Sequence, residues 1–561
     1  MKNRLTLYII LALALATSLF VYIYLLLPQA PFSWDEAHHA TYSILITKSI
    51  LQKNWQAFWH YTNQQIYWPF LHSWISSVFL LVGGFSYSAA RFTNLVLGFF
   101  SIIIIYQAGK KLGKKEAPAT GLLATLLMVL SPMFLFFSSN AMIENLGLFF
   151  VILLIWLQLS PGGNRAKQKY FTTGLMLALL YLTKYIFAIF FGVALFSYWI
   201  SLVIIPTPQI KRKNIFENLI WTAIGFLVIW GLWFFLPPSA IASKYGVLLY
   251  RVQDTGGFNP HHFTKVENWL FYIRALLYVY TFSIGIYLLY LCGLIYGLIK
   301  FKDLKIRFLV IVFLANFIPM SMISNSQERF IYIVTPALFL LTSAFIVESW
   351  KRLKRSKLMI TALLGVLILG DIAKLPSYIR EVGNAVIGTC AFKIHNKFNY
   401  NTLFGLCSYP EFLHFPRDHF NLTAPAVIPE HNTEDIVNFI LTNTDPRAPV
   451  CVSFYIGSLS PHLWHWHSIS KNRPIFTQWR PDSYYFVSLE VDDDSPYFLL
   501  WNSYLITGRT RDWDAFLSDL REKGLIEVIN QKYFSDMGLG VKIYRKSMPI
   551  NNEVWRTINF P

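Results

Sequence analysis

Charge is scarce in this chain, and acidic charge is the scarcer kind. Of 561 residues only 14% are charged, with 30 Asp and Glu against 48 Lys and Arg, while 55% are hydrophobic and 17% aromatic. That balance excludes an ordinary soluble domain and a disordered chain, and it fits a polytopic membrane protein. Four cysteines exclude a disulfide-dense secreted scaffold. There is no glycine-rich phosphate loop of the P-loop type, so Asp35-Glu36-Ala37-His38 matches a helicase box only by chance. Internal repeats and low-complexity segments are also missing, and so is the paired-half pattern usual in transporters.

What is present is basic charge, dealt out in small packets. A formal net charge of +18 would suit a nucleic-acid partner only if it formed one face. It falls instead in six clusters between apolar runs: Lys2 and Arg4, Lys110 to Lys115, Arg165 to Lys169, Lys211 to Lys213, Lys300 to Arg307, and Lys351 to Lys357. The positive-inside rule assigns all six to the cytoplasm, so the excess records topology and no nucleic acid is expected.

With the clusters inside, eleven crossings are expected. They are Leu5 to Leu27, Ala89 to Ala108, Ala117 to Ser138, Asn145 to Ser160, two short spans within residues 170 to 205 that bend at Leu182-Thr183-Lys184, Ile215 to Leu236, Leu270 to Leu298, Ile306 to Ile323, Phe330 to Val347, and Leu358 to Asp371. The first run is too long for a signal-peptide core and is expected to be retained, with the N-terminus cytoplasmic. Residues 28–88 and 237–269 then form long outer loops. The first carries Trp55, Phe58, Trp59, Trp68 and Trp74, which suits amphipathic helices lying in the interface, although 70–82 is apolar enough for a short span.

From Lys374 the composition turns soluble. Residues 1–373 are expected to form the membrane module, and 374–561 an outward-facing α/β domain. Its expected strands are Val450 to Ile456, Tyr497 to Trp501, Leu525 to Asn530 and Val541 to Tyr544, with a helix through Trp513, Phe516, Leu517 and Leu520 closed by Gly524. Cys390 and Cys407 are the better-placed pair for a disulfide. His462, His465 and His467 alternate with Trp464 and Trp466; without an acidic ligand they suit an aromatic packing helix better than a zinc or sugar site. All thirteen histidines fall in outer segments, although short Lys- and Arg-rich inner loops alone would exclude most of them.

Ionisable residues at membrane depth point to function. Asp35 and Glu36 follow the first span, Glu144 starts the fourth, Lys184 sits at a bend and Arg329 opens the tenth. Each has a plainer reading. Ser33 with Glu36 has the spacing of a capping box, Glu144 suits a helix N-terminus, Lys184 could snorkel, and Arg329 could mark a span boundary. Together they suit the departure of a polyprenyl phosphate from a sugar. The leaving phosphate needs cations and no strong acid, while the attacking hydroxyl or amine needs a base.

The chain resembles the GT-C glycosyltransferases of the dolichyl-phosphate-mannose protein mannosyltransferase type and the bacterial lipid A aminoarabinose transferases. The resemblance is carried by Trp34 to Ala40, Gly84 to Arg91 leading into Gly109 to Gly113, Ser131-Pro132 ahead of Asn140 and Glu144, Leu182-Thr183-Lys184, and Arg329 to Tyr332 with Pro336. It implies Asp35 as general base, Glu36 and Glu144 as further acidic residues of the site, and Lys184 and Arg329 as phosphate ligands. His38, His39, Trp68, His72, Arg91, Arg251 and His261 are the other outer-loop candidates for substrate contact. The chain departs from the pattern at Tyr67-Trp68-Pro69-Phe70, where many relatives carry Lys or His followed by two prolines.

The expected protein is therefore a multi-pass plasma or inner-membrane α-helical enzyme with an outward C-terminal α/β domain. Its expected substrates are a polyprenyl-phosphate sugar and a glycan, lipid or protein acceptor, with inversion at the sugar. Relatives differ in metal use, so no cofactor follows and a divalent metal stays open. The alternatives are a lipid-linked substrate transporter or flippase, and an inactive membrane scaffold.

Overall fold

The computed structural model describes residues 2–26, 32, 34–66, 68–113, 116–160, 166–205, 212–246, 271–273, 275–276, 280–281, 284–321, 328–352, 365, 430–452, 461–476, 483–491, 509–535 and 539–547. The first part is helical: α1 (Lys2–Val21, continued by a π-turn over Tyr22–Leu26), α2 (Trp34–Leu51), α3 (Trp55–Gln64), α4 (Leu71–Gly83), α5 (Tyr87–Leu112), α6 (Ala117–Val129), α7 (Pro132–Ser139), α8 (Glu144–Leu159), α9 (Ala166–Tyr181), α10 (Tyr185–Ile204), α11 (Arg212–Phe235), α12 (Ile284–Ile299), α13 (Leu304–Met320) and α14 (Thr335–Arg352). Nine of the first ten expected spans overlap these helices, with α6 and α7 a pair bent by 66° where Pro132 opens the second, and of the eighth, Leu270 to Leu298, α12 covers the part from Ile284. Four helices among the described residues are long and apolar enough to cross a membrane alone, and five if the bent pair counts as one. The eleventh expected span lies outside the described residues.

Local chemistry sets the helix ends. The Ser86 hydroxyl caps α5 by accepting from the Ala89 N–H at 3.2 Å, and Lys110 and Lys111 lie in its last turn, where cations suit the dipole. Asn54 caps α3 through the Ala57 N–H. That helix leaves Trp55 and Trp59 more than half exposed. With thirteen residues α4 spans about 20 Å, short of the ~30 Å hydrocarbon core.

The hairpin of α9 and α10 carries Lys184 at its bend. Against α9, α11 packs backbone to backbone at Gly174 and Gly225, where any Cβ would lie 2.1 Å from a carbonyl oxygen of the facing helix. At the bend, the Lys184 N–H donates to the Leu180 carbonyl, and the Leu71 N–H donates to the Leu182 carbonyl at 3.2 Å, fixing α4 to the bend. The twenty residues of α10 put about 30 Å between Lys184 and the far end. There Arg307 reaches the Ser201 and Ile205 carbonyls, and Lys305 bonds the Lys111 carbonyl. Residues of two of the basic clusters, Lys110 to Lys115 and Lys300 to Arg307, thus meet about 30 Å from the bend.

The C-terminal part is a small α/β unit. Its mixed sheet runs β2 (Ile475–Phe476), β1 (Val450–Val452), β3 (Tyr485–Val491), β5 (Leu539–Lys546), β4 (Ile526–Phe534), with the first three parallel and the rest antiparallel. Helices α15 (Glu430–Thr442), α16 (Pro461–Ser470) and α17 (Arg509–Glu522) cover it. Alternate residues face opposite sides: Cys451 and Phe486 meet Trp513, Phe516 and Leu517 of α17, while Val450, Val452 and Val487 meet α15 and α16. Gly524 ends α17 at φ +68°, as its position after the apolar stripe predicts.

The expected strands at Leu525 and Val541 are present and longer, and the central β3 was not expected. Tyr497 to Trp501, Cys390 and Cys407 lie outside the described residues. On its second face the sheet core continues into Phe32, Ala37, Ala40, Ile44 and Ala141, so α16 docks directly on α2.

Candidate active site

Asp35 and Glu36 open α2 in its first turn, where the helix dipole favours negative charge. Ser33, the expected cap, lies outside the described residues. Adjacent positions on a helix point about 100° apart, and these two find different partners. Glu36 is wholly buried and clamped by Arg91, whose Nε donates to Oε1 at 2.6 Å and whose Nη2 donates to Oε2 at 3.0 Å. Its Oε1 also accepts the Ala141 N–H at 2.8 Å, and the Phe32 ring lies 5.1 Å from the Arg91 guanidinium. Breaking such a buried pair from one side costs about 3–5 kcal/mol. Glu36 therefore joins α2 to α5 and to the turn before α8.

Asp35 keeps 21% of its side chain exposed. Its Oδ2 accepts from Arg329 Nη1 at 2.7 Å; the same Nη1 stands 3.7 Å from Glu144 Oε1, and Lys184 Nζ donates to that Oε1 at 2.7 Å. Four residues from four parts of the chain thus alternate in charge as Asp35, Arg329, Glu144, Lys184. Glu144 begins α8, Lys184 precedes α10, and Arg329 lies in a 3₁₀ turn over Glu328–Val334 that feeds α14. The Lys184 ammonium, fully buried, lies 5.2 Å from the Trp68 ring, 4.7 Å from Phe187 and 5.3 Å from Phe330.

A histidine cluster adjoins this chain. The His39 ring is 6.0 Å from Trp68, 5.8 Å from His72 and 5.7 Å from His38, which in turn lies 5.1 Å from Tyr42. Burial pushes the Asp35 carboxyl up, but Arg329, Lys184 and His38 together outweigh it and hold it below the usual carboxylate range. Burial also lowers His38, against the pull of Asp35, with the charge of His465 on α16 adding to the shift. His39 is driven well below the usual imidazole range by burial and by the cations around it. Both rings are neutral at pH 7.

Two asparagines that the sequence pattern did not single out hold the turn carrying Glu144. Asn94 Nδ2 donates to the carbonyls of Asn140 and, at 2.5 Å, Met142. Asn145 Nδ2 donates to the Asn94 carbonyl at 2.7 Å, and Tyr332 Oη donates to Asn145 Oδ1 at 3.2 Å. The available signal was a polar amide inside an apolar span, one helical turn past Arg91.

Of the other expected residues, Trp68 and His72 join the site and Arg91 serves Glu36. Arg251 and His261 lie outside the described residues. His467 Nε2 shares a hydrogen bond with Tyr87 Oη at 2.9 Å and is pushed down to about 3 by burial, and Trp466 stacks on Tyr87 and meets Phe32 edge-on. Among the described residues no group of three His, Cys, Asp or Glu is placed to hold a metal.

Residues 68–237 match the family model of dolichyl-phosphate-mannose-protein mannosyltransferases. Glu144 and Lys184 fall within that stretch; Asp35 and Arg329 lie outside it. No curated protein sequence matches the chain. Among solved structures, ArnT from Cupriavidus metallidurans in the apo state aligns at TM-score 0.55 with 14% identity, over 97% of this chain and 98% of that one. Its undecaprenyl phosphate complex aligns at 0.54 with 15% identity, over 95% and 97%. The Archaeoglobus fulgidus oligosaccharyltransferase in complex with Zn and sulfate aligns at 0.50 with 12% identity, over 85% and 67%. The chain thus has the fold of the GT-C superfamily and resembles its glycosyltransferases. Within that class it is mannosyltransferase-like over residues 68–237.

Proposed function

We propose that the chain is a membrane glycosyltransferase that moves one sugar from a polyprenyl-phosphate carrier to an acceptor on the outer face of the plasma or inner membrane. The observation that carries this reading is the alternating chain Asp35, Arg329, Glu144, Lys184. It supplies a partly exposed carboxylate beside two cations. The resemblance to GT-C enzymes supports the donor class, and the ~30 Å between Lys184 and the basic end supports the outer face.

The chemistry follows from the charges. A donor phosphate arriving at Lys184 and Arg329 competes with the two carboxylates for the same cations. As Arg329 turns to the phosphate, Asp35 loses the cation that holds its pKa down and becomes a stronger base. It takes the proton from the acceptor O–H or N–H while that oxygen or nitrogen attacks the anomeric carbon. The bond from that carbon to the phosphate oxygen breaks, its electron pair leaves with the polyprenyl phosphate, and Lys184 and Arg329 stabilise the charge. A single displacement from the opposite side inverts the sugar. Glu144 keeps Lys184 and Arg329 together and Glu36 holds the helix that carries Asp35. The acceptor is a glycan, a lipid or a protein, and residues 374–561 are its outer domain.

The test uses the purified full chain with labelled polyprenyl-phosphate sugars. Wild type transfers label, and Asp35→Asn lowers kcat by roughly 100-fold or more with donor KM little changed. Undiminished transfer by the variant removes Asp35 as base, and no transfer by either protein from any donor removes the glycosyltransferase reading.

A further inference from the structure

From Asp35 to Lys48, helix α2 is buried at every position except Asp35, His38, Tyr42, Leu45 and Lys48, which are half-buried. These recur every three or four residues, so they form one open face that starts at the carboxylate of the ion chain. The C-terminal α/β unit borders this face. Leu463, Trp464 and Trp466 of α16 share a core with Ala37, Ala40 and Ile44 of α2, and Lys48 fixes the pairing by donating to the Ile469 carbonyl and Asn472 Oδ1. On α16, Leu463, Trp464, Trp466 and His467 are buried, and His465 between them is exposed. His465 lies close enough to His38 for its charge to act on that ring, and Asp35 acts on the same ring from one helical turn back. The His38 ring also meets Tyr42 at 5.1 Å and His39 at 5.7 Å.

The chemistry of this face differs from that of the phosphate side. Burial lowers His38 and His465, so both are neutral at pH 7 and each ring has one N–H donor and one acceptor nitrogen. Burial pushes the Tyr42 hydroxyl up, which keeps it protonated. Among the described residues the face carries no cation before Lys48, and Lys48 is engaged by Ile469 and Asn472. Asp35 puts a negative charge at the inner end. An anionic acceptor would therefore meet a like charge, whereas neutral hydroxyls find donors and acceptors at successive turns. Asp35, His38 and Tyr42 follow one another at about 5 Å along the helix axis, a reach that one sugar ring bridges.

We infer that His38 of α2 and His465 of the C-terminal unit form the acceptor subsite beside Asp35, and that its substrate is an uncharged glycan whose hydroxyl is the nucleophile. The inference rests on the glycosyltransferase reading above, of which it names the acceptor. The two imidazoles hold hydroxyls of the acceptor sugar and present a neighbouring one to Asp35, and Tyr42 offers its ring to the apolar face of that sugar. The C-terminal unit thus supplies part of the binding site as well as a support for α2.

Transfer by the full chain in nanodiscs from a labelled polyprenyl-phosphate hexose tests this with three kinds of acceptor: a panel of neutral oligosaccharides, the same panel carrying 6-phosphates, and serine-containing peptides. Wild type labels a neutral oligosaccharide with kcat/KM at least roughly tenfold above its phosphorylated form and the peptides. His465→Phe raises the KM for that oligosaccharide roughly tenfold with kcat changed less than about twofold, and binds bare polyprenyl phosphate as wild type does, which shows that the variant is folded. His465→Gln, which keeps a donor and an acceptor, recovers part of the loss, and His465→Lys narrows the gap between neutral and phosphorylated acceptors. A wild-type preference for the phosphorylated panel or the peptides overturns the assignment, as does donor hydrolysis with no acceptor labelled. So does an unchanged oligosaccharide KM in His465→Phe, or a parallel loss of lipid binding. Failure of wild type to consume the donor, with any acceptor or with water, removes instead the reading beneath it.

Discussion

At the scale of single residues the site turns on how Asp35 and Glu36, one position apart, are used. Glu36 has no exposed surface and is spent on Arg91 and the Ala141 N–H, whereas Asp35 keeps solvent access and one strong cation. The groups that act on the Asp35 charge are Arg329, Lys184 and His38, with Arg329 the largest of the three against burial. Since burial alone pushes the carboxyl up, Arg329→Gln is expected to raise its pKa. The acid limb of kcat/KM then moves to higher pH, because the base stays protonated further up the scale. A pH profile of the variant beside wild type checks this, and an unmoved limb would mean that another group is the base. Asp35, Glu144, Lys184 and Arg329 were legible in the sequence because charge next to apolar runs is rare. The partners of Glu36 were not, since a pair between residues 36 and 91 leaves no local pattern. Asn94 was hidden in the same way inside the apolar run of α5.

At the scale of elements, α2 is held from two sides. From the membrane part it is held by Arg91 through Glu36; from the C-terminal part it is held by α16, where Trp466 meets Phe32 and Tyr87, and Lys48 Nζ donates to the Ile469 carbonyl and Asn472 Oδ1 at 2.5 Å each. Phe32 also covers Arg91, so α16 supports the very pair that positions the first turn of α2. Trp466 is 2% exposed, and Trp466→Ala is expected to cost about 3–5 kcal/mol. Hydrogen exchange in α2 should quicken in that variant while α9 and α10 keep wild-type protection; unchanged exchange in α2 would show that α16 does not support it.

The aromatic character of α16 was readable from its alternating Trp and His, but its partner was not. Among the strands, β3 escaped notice because it is covered on both faces. Tyr485 to Leu489 then has no clean alternation to separate it from any other apolar run. On the sheet edge, β4 shows the opposite problem, since Glu527, Asn530, Gln531 and Lys532 blur its pattern.

At the scale of the whole molecule, charge is sorted between the two ends of α10. Lys111, Lys305 and Arg307 meet at one end of α10, and Asp35, Arg329, Glu144 and Lys184 meet at the other. The positive-inside pattern made this arrangement legible in the sequence, because each basic cluster constrains the crossings on both sides of it. What the pattern could not supply was convergence: four outer segments can share a leaflet without touching, and only packing brings Arg329 within reach of both Asp35 and Glu144. The central claim is that these cations receive a polyprenyl phosphate, and an electron cryo-microscopy map of the full chain in nanodiscs with a bare polyprenyl phosphate tests it most directly. The account predicts phosphate oxygens at charge-assisted hydrogen-bond distance, ~2.7–2.9 Å, from Lys184 Nζ and Arg329 Nη1, with Asp35 released from Arg329. Phosphate density among Lys111, Lys305 and Arg307 at the opposite end, with the Asp35 and Arg329 pair intact, would contradict it.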